Sequence, residues 1–343
     1  MSNNFINPNS NDKLSSLNKK DLEEFIKFLL QYKLKLRGNI GINTGYTFGL
    51  ELEFENIKDE ISDFENEFRH LKLNNGNIRE AYHDTDLWDI KTDTTLTENN
   101  GREITSPIET DNIKTWEDLK KVCSFIKRYA SVGPHSAGHI HIGSQALGDS
   151  KTALLNLLKL WAVYENVLYR YGYNEFLSKN PLIKYSKPSS HDYNEIYNKL
   201  VNDMSISVEN ILQLLTGRMK AISFSTTTLV SDEEKIAYKD TIEFRSPNGT
   251  LDPVIWQNNV NTFIKLLKCA KESKFDMDTI IKRERKTNKI EQDNYNQIFI
   301  DEALELADLI FDNNLDKLYF LRQYIKDNTV SSKPMQRSRK WTI

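Results

Sequence analysis

The amino-acid sequence predicts an α+β fold, because short segments of strictly alternating apolar and polar residues are interspersed with longer ones whose apolar residues recur at helical spacing. The clearest strand runs from Thr47 to Glu55, where Phe48, Leu50, Leu52 and Phe54 alternate with Gly49, Glu51, Glu53 and Glu55. The clearest helix runs from Lys151 to Tyr171, with Leu154, Leu157, Leu158, Trp161 and Leu168 directed inward. A chain of 343 residues can bury a sizeable core without covalent staples. Its two cysteines, Cys123 and Cys269, stand among apolar, helix-like neighbours as small core residues, a usage that suits a reducing compartment.

The other elements follow in order. Residues 1–17, rich in Asn and Ser, have too little apolar surface to order themselves and are expected to form a disordered tail. Asn18 is placed to cap a helix carrying Leu22, Phe25, Ile26, Leu29 and Leu30, expected to end near Gly38. A helix over Ile61 to Leu71 and a short strand at Trp88-Asp89-Ile90 come next, then a strand from Arg102 that its own Pro107 stops. A helix from Trp116 to Ser131 leads through the Gly133-Pro134 turn into a strand bounded by Gly138 and Gly143. Asn174 to Ser205, rich in Lys, Tyr, Asn and Ser, is expected to be a lid-like insertion. Beyond it lie a helix over Val208 to Leu215 and strands over Ala221 to Val230 and Thr241 to Ser246. Apolar stripes over Asn258 to Ala270 and Phe299 to Ile325 make the remainder helical. One catalytic domain is expected over 18–326, with a sheet core in 18–253, a helical part in 254–326 and a basic tail in 327–343.

A net charge of −3 supplies no global field that would draw the chain to nucleic acid or to an anionic membrane. The opening residues MSNNFINPNSNDK lack a basic region followed by an apolar run, and no stretch approaches the roughly 18 apolar residues of a membrane span. A soluble, cytoplasmic protein that meets charged partners locally is the expectation, with its oligomeric state left open.

Chemistry is concentrated in the strands. Glu51, Glu53 and Glu55 project from one face of a single strand at intervals of about 7 Å, where like charges repel unless water or cations intervene. Glu103, the His139-Ile140-His141 pair and Thr241-Ile242-Glu243-Phe244-Arg245 repeat the design of an apolar back and a front of Glu, His or Arg. Taken singly, each is an ordinary half-exposed strand; gathered on one sheet, they form a site that only cations make tolerable. Carboxylates in excess over imidazoles favour Mg²⁺ or Mn²⁺, whereas a His-x-His pair with one Glu suits zinc with an open position. The glycines beside His139 and His141 suggest that something approaches closely there. His70, His83, His135 and His191 lack such a setting and read as surface or loop residues. No P-loop and no dinucleotide-binding glycine motif is present, so phosphate would be met by metal and by Arg218, Lys220 and Arg245.

In this order the motifs resemble the amidoligase family, relatives of glutamine synthetase and of glutamate–cysteine ligase. The matching pieces are Gly49 to Glu55, Asp93 through Arg102 to Pro107, Ala137 to Gly143, Arg218 to Phe224 and Thr241 to Ser246. The resemblance implies a glutamine-synthetase-like domain whose curved antiparallel sheet, flanked by helices, holds two or more Mg²⁺ ions between ATP and a carboxylate. It implies metal ligands in Glu51, Glu53, Glu103, His139 and Glu243, with His141 near the ATP phosphates. Arg218 and Lys220 would meet phosphate or substrate and Arg245 the transferring phosphoryl group, so that Arg245, Glu53 and Arg218 form the catalytic set. Glu55 has no assigned role in the pattern. The chain departs from many relatives at Ser223, where Asn is usual, and at Met219, where an aromatic is common.

The activity implied is ATP- and Mg-dependent joining of a small-molecule or peptide carboxylate to an amine through an acyl phosphate. Alternatives are phosphoryl transfer to a guanidino group, zinc-dependent amide hydrolysis by His139, His141 and a Glu, and a non-catalytic binding protein that kept the fold.

Overall fold

A computed structural model of the chain describes residues 7, 9–43, 45–74, 87–96, 100–173, 186–203, 205–215, 217, 219–225, 240–287 and 299–326. Its strands are β1 (Phe48–Phe54), β2 (Asp89–Lys91), β3 (Arg102–Thr105), β4 (Gly138–Gly143), β5 (Ile222–Ser223) and β6 (Thr241–Phe244). They form one open sheet in the order β2-β3-β1-β4-β6-β5, with every neighbouring pair antiparallel. Ten helices accompany it among the described residues: α1 (Lys19–Gln31), α2 (Ile61–Arg69), α3 (Ile113–Tyr129), α4 (Lys151–Gly172), α5 (Ser190–Leu200), α6 (Val208–Leu215), α7 (Pro253–Glu272), α8 (Met277–Thr287), α9 (Ile300–Ile310) and α10 (Asn314–Ile325). The α+β class follows directly.

Alternation in the strands decides which face is buried. Leu50, Leu52, Phe54, Ile104, Ile140, Ile142, Ile242 and Phe244 all lie in the core, on the back of the sheet. Aromatic pairs fasten helices there: Phe244 stacks on Phe263 of α7 with ring centroids 4.2 Å apart, and Trp161 of α4 lies 6.0 Å from Phe244. Phe48 stacks on Trp116 of α3 at 5.3 Å, and Phe54 meets Phe64 of α2 at 5.4 Å. Each such ring buries apolar area and adds on the order of 1 kcal/mol of ring–ring attraction. The helices have local starts as well: the Asn112 side chain accepts from Thr115 N at 3.1 Å, and Asp252, just ahead of Pro253, accepts from Val254 N at 2.9 Å.

Several expectations from sequence are altered by long-range contacts. Helix α1 stops at Gln31 instead of continuing toward Gly38. The arm that follows is held by distant side chains: Asp111 accepts from Ile40 N at 2.9 Å and Ile42 N at 3.0 Å, and Gln257 accepts from Arg37 N at 2.9 Å. The described residues of the expected N-terminal tail are docked. Asn314 Nδ2 donates to Asn7 O at 2.9 Å, Asp308 accepts from Leu14 N and Ser15 N at 3.0 and 2.8 Å, and Leu14 is buried. The segment expected as a lid contains α5, whose Tyr193, Tyr197 and Leu200 are buried, while residues 174–185 and 204 lie outside the described residues. Between Phe299 and Ile325 the chain makes two helices, because Asn313 starts α10 by accepting from Asp316 N at 2.9 Å. Only Ile222–Ser223 of the strand expected over Ala221 to Val230 is a described strand, and residues 226–239 lie outside the described set, as does the basic segment 327–343. Cys123 and Cys269 are buried and unpaired with each other, in line with their reading as core. Among the described residues no helix is long and apolar enough to cross a membrane.

Docking of the N-terminal segment has a direct test. Removing residues 1–16 uncovers Asp308, Asn314 and Lys317 and is expected to lower the melting temperature by several degrees, read by circular dichroism. A disordered tail would leave the temperature unchanged.

Candidate functional site

Antiparallel pairing fixes which polar residues meet on the front of the sheet, since directly opposed residues project from the same face. Glu53 of β1 is opposite Glu103 of β3, Glu51 is opposite Thr105 on one side and His139 of β4 on the other, and His141 is opposite Glu243 of β6. The register therefore places Glu51, Glu53, Glu103, His139, His141 and Glu243 together on one face. Four of these six are carboxylates, drawn from three strands.

Glu51 is the hub. Its Oε2 lies 2.9 Å from His139 Nδ1 and its Oε1 lies 2.9 Å from His141 Nε2, so one carboxylate joins both imidazoles. His139 Nδ1 is also 3.8 Å from Glu53 Oε1 and 3.8 Å from Glu243 Oε1. Glu53 is held by the backbone, Ala137 N donating to its Oε2 at 2.7 Å, and His141 Nδ1 lies 3.1 Å from Thr241 Oγ1. Arg245 pairs through Nη1 with Glu243, and its buried Nε has no hydrogen-bond partner.

This crowding displaces protonation equilibria in opposite directions. Burial raises Glu103, and repulsion from Glu51, Glu53 and Asp93 adds to it against the attraction of His139, leaving it at about 8. Glu53 is raised by burial too, with only partial relief from His139 and the Ala137 amide. Burial alone would lower His139, yet its hydrogen bond to Glu51 and the charge of Glu53 carry it up to about 9. Burial would likewise raise Glu51, but hydrogen bonds from His139 and His141 hold it well below the usual carboxylate range.

Three overlapping sets of donors bring their ligand atoms within 4.8 Å of one another: Glu51, Glu103 and His139; Glu51, His141 and Glu243; and Glu53, Asp93 and Glu103. The sets are rich in oxygen with a minority of nitrogen, and the neighbouring carboxylates add to burial in raising Glu103. Such a donor set fits hard divalent cations. Asp93 is the member that reading the sequence did not single out. It lies inside a motif that carried the family resemblance, but follows β2 with no strand alternation of its own to mark it.

Other residues fall elsewhere. Arg218 lies outside the described residues. Lys220 does not join the front: it shares the parity of buried Ile222 and pairs with Asp192 of α5 at 3.3 Å, its ammonium 5.7 Å from the Tyr193 ring. Glu55 is taken by the turn before β4, where its Oε1 accepts from His135 N at 2.9 Å. Of the glycines bracketing the histidines, Gly138 answers to packing, whereas Gly143 faces only the flexible end of a side chain. A Cβ on Gly138 would come within 2.9 Å of Asn248 O and of the Trp256 ring, and one on Gly143 would meet the Gln145 amide.

Fold and front face together define an α+β protein with a carboxylate–imidazole cluster on an open antiparallel sheet. Residues 44–267 match the model of a family described as "Putative amidoligase enzyme", a span that takes in all six strands. The chain belongs to the amidoligase family. A comparison with curated proteins finds no match.

The proton equilibria make the stability of the protein depend on pH in the presence of a chelator. Glu103, at about 8 against an ordinary 4.5, holds more proton folded than unfolded between those values, and His139 does so between 6.5 and about 9. Excess proton in the folded state makes stability fall as pH rises, most steeply where the two windows overlap, from 6.5 to about 8. The melting temperature is expected to fall across that range by scanning fluorimetry. Glu103→Gln should flatten the fall and melt higher than wild type at pH 8; equal slopes for the two proteins would refute the coupling.

Proposed function

We propose that this chain is an ATP- and Mg-dependent carboxylate–amine ligase that forms an amide through an acyl phosphate, built on a glutamine-synthetase-like catalytic domain. The observation that carries the reading is the cluster itself, six ionisable side chains in register on one face of the sheet. Family membership supports it.

The residues suited to hold divalent cations are Glu51, Glu53, Glu103, His139 and Glu243, with Asp93 added by its place beside Glu53 and Glu103. Cations bound there would neutralise the anionic oxygens of ATP and substrate and polarise the γ-phosphoryl group. A carboxylate oxygen of the substrate attacks the γ-phosphorus in line, the bond to the β,γ-bridging oxygen breaks, and ADP departs. Arg245 is the chain's own group for the charge that develops, because its buried Nε is unsatisfied while Nη1 is anchored on Glu243. The amine nitrogen then attacks the acyl carbon, phosphate leaves, and the nitrogen gives its surplus proton to a carboxylate of the front.

Roles within the cluster are divided by environment. The two imidazoles hold Glu51 ionised, whereas Glu53 is fixed by the Ala137 amide and cannot rotate without losing that bond. His141, braced between Glu51 and Thr241, is oriented toward whatever lies over the β1–β4–β6 part of the sheet.

Purified protein supplied with Mg-ATP and pools of carboxylates and amines is expected to release ADP only when both are present, with a condensation product one water lighter than the pair by mass spectrometry. Glu53→Gln and Glu51→Gln are each expected to reduce release by about a hundredfold or more. Cleavage of amides without nucleotide would instead favour a zinc hydrolase built on the two imidazoles that share Glu51.

A further inference from the structure

Lys91 ends the front row that holds Glu53 and Glu103. In β2 it is directly opposite Glu103, which is directly opposite Glu53, so the three side chains project from one face across three adjacent strands. At about 4.8 Å between strands, the Lys91 backbone lies about 10 Å from that of Glu53. Its four-carbon stem can carry the ammonium over Glu103.

Two features separate Lys91 from an ordinary edge lysine, whose usual service is to discourage pairing of a strand with another chain. First, a lysine across from a glutamate in an antiparallel pair would normally engage it; Lys91 is exposed and makes no ion pair among the described residues. Second, among the described residues the other cations expected to meet anions already have carboxylate partners. Arg245 is engaged with Glu243, and Lys220 is turned to α5. Register sets Lys91 within side-chain reach of Glu103, so its ammonium can swing, as a mobile point charge, to the anionic oxygens of a ligand that cations draw onto Glu53, Asp93 and Glu103.

We propose that Lys91 is a ligand-binding residue of this site, contacting anionic oxygens, phosphate or carboxylate, of a ligand held over Glu53, Asp93 and Glu103. This rests on the ligase reading for the identity of the ligand and on strand register for the residue.

The test measures Mg-ATP and Mg-ADP binding by calorimetry, and ADP release over the substrate pools, for wild type, Lys91→Met and Lys91→Arg. Lys91→Met is expected to lose about tenfold in one of these, the size of a charge-assisted hydrogen bond, and Lys91→Arg to recover most of it. Weaker ATP binding with ADP unchanged assigns the contact to the γ-phosphate; weakening of both assigns it to the inner phosphates. Unchanged nucleotide binding with a higher requirement for the carboxylate pool assigns it to the substrate. The melting temperature of the variant is expected to match wild type, since the side chain is exposed on an edge strand. Lys91→Met equal to wild type in all three measurements overturns the inference and leaves the ligase reading intact. Wild type that binds no Mg-ATP and releases no ADP overturns the ligase reading, and this assignment with it.

Discussion

Mutual repulsion among the front-face carboxylates is the constraint on which the rest of the structure depends. Two-residue alternation aligns Glu51 and Glu53 on β1, and antiparallel register then sets Glu103 and Glu243 around the same imidazoles. Two unit charges 4 Å apart repel by about 4 kcal/mol at the effective dielectric near a protein surface. The chain relieves this in part by protonating His139 and placing Arg245 on Glu243, while burial first and the remaining repulsion second keep Glu103 raised. An arrangement that stores repulsion at one place needs a scaffold stiff enough not to relax away from it.

That scaffold is the other face of the same strands. Apart from Arg102 and Gly138 at the strand ends, the residues that alternate with the front carboxylates and imidazoles are Ile, Leu or Phe in the core, and the stacked or tilted rings of Phe48, Phe54 and Phe244 tie the strands to four different helices. A slip of one residue in β1 would send Leu50, Leu52 and Phe54 to the front and bury three glutamates among aromatic rings, a cost far above the stability of a domain. Register is thus enforced by the apolar side, and the geometry of the polar side follows from it.

This coupling explains what was legible in the sequence. Alternation is local, so Glu51, Glu53, His139, His141 and Glu243 were found with their faces correctly assigned, as were the helices that cover the back. What escaped depended on contacts between distant parts of the chain. Asp111 and Gln257 arrest the arm after α1, and Asn314 and Asp308 dock the N-terminal segment; neither bond has a sequence signature, since an Asn or Asp 70 to 300 positions away is like any other. That Lys220 lies beside Asp192 of α5 could not be read from its proximity in sequence to a strand, which says nothing of parity when the strand is two residues long. The glycines around His139 and His141 were read as marking a close approach, and at Gly138 it is the protein's own Trp256 and Asn248 that approach.

Glu53 and Glu55 show how far residue type alone leaves chemistry undetermined. They have the same side chain, Glu53 within β1 and Glu55 one residue past its end with the same parity, and both are buried. Each accepts a backbone N–H from the chain entering β4, from Ala137 and His135 respectively. For Glu53, β4 continues alongside β1 and brings His139 within 3.8 Å of its second oxygen, so that oxygen faces the cluster. For Glu55 the chain has already turned away through Gly133, where a Cβ would collide with its carboxylate, and the acid is enclosed by the turn it stabilises. β1 and the residue just past it therefore supply both a member of the cluster and the anchor of the loop that delivers its partner. The point where β4 leaves β1 draws the line between them.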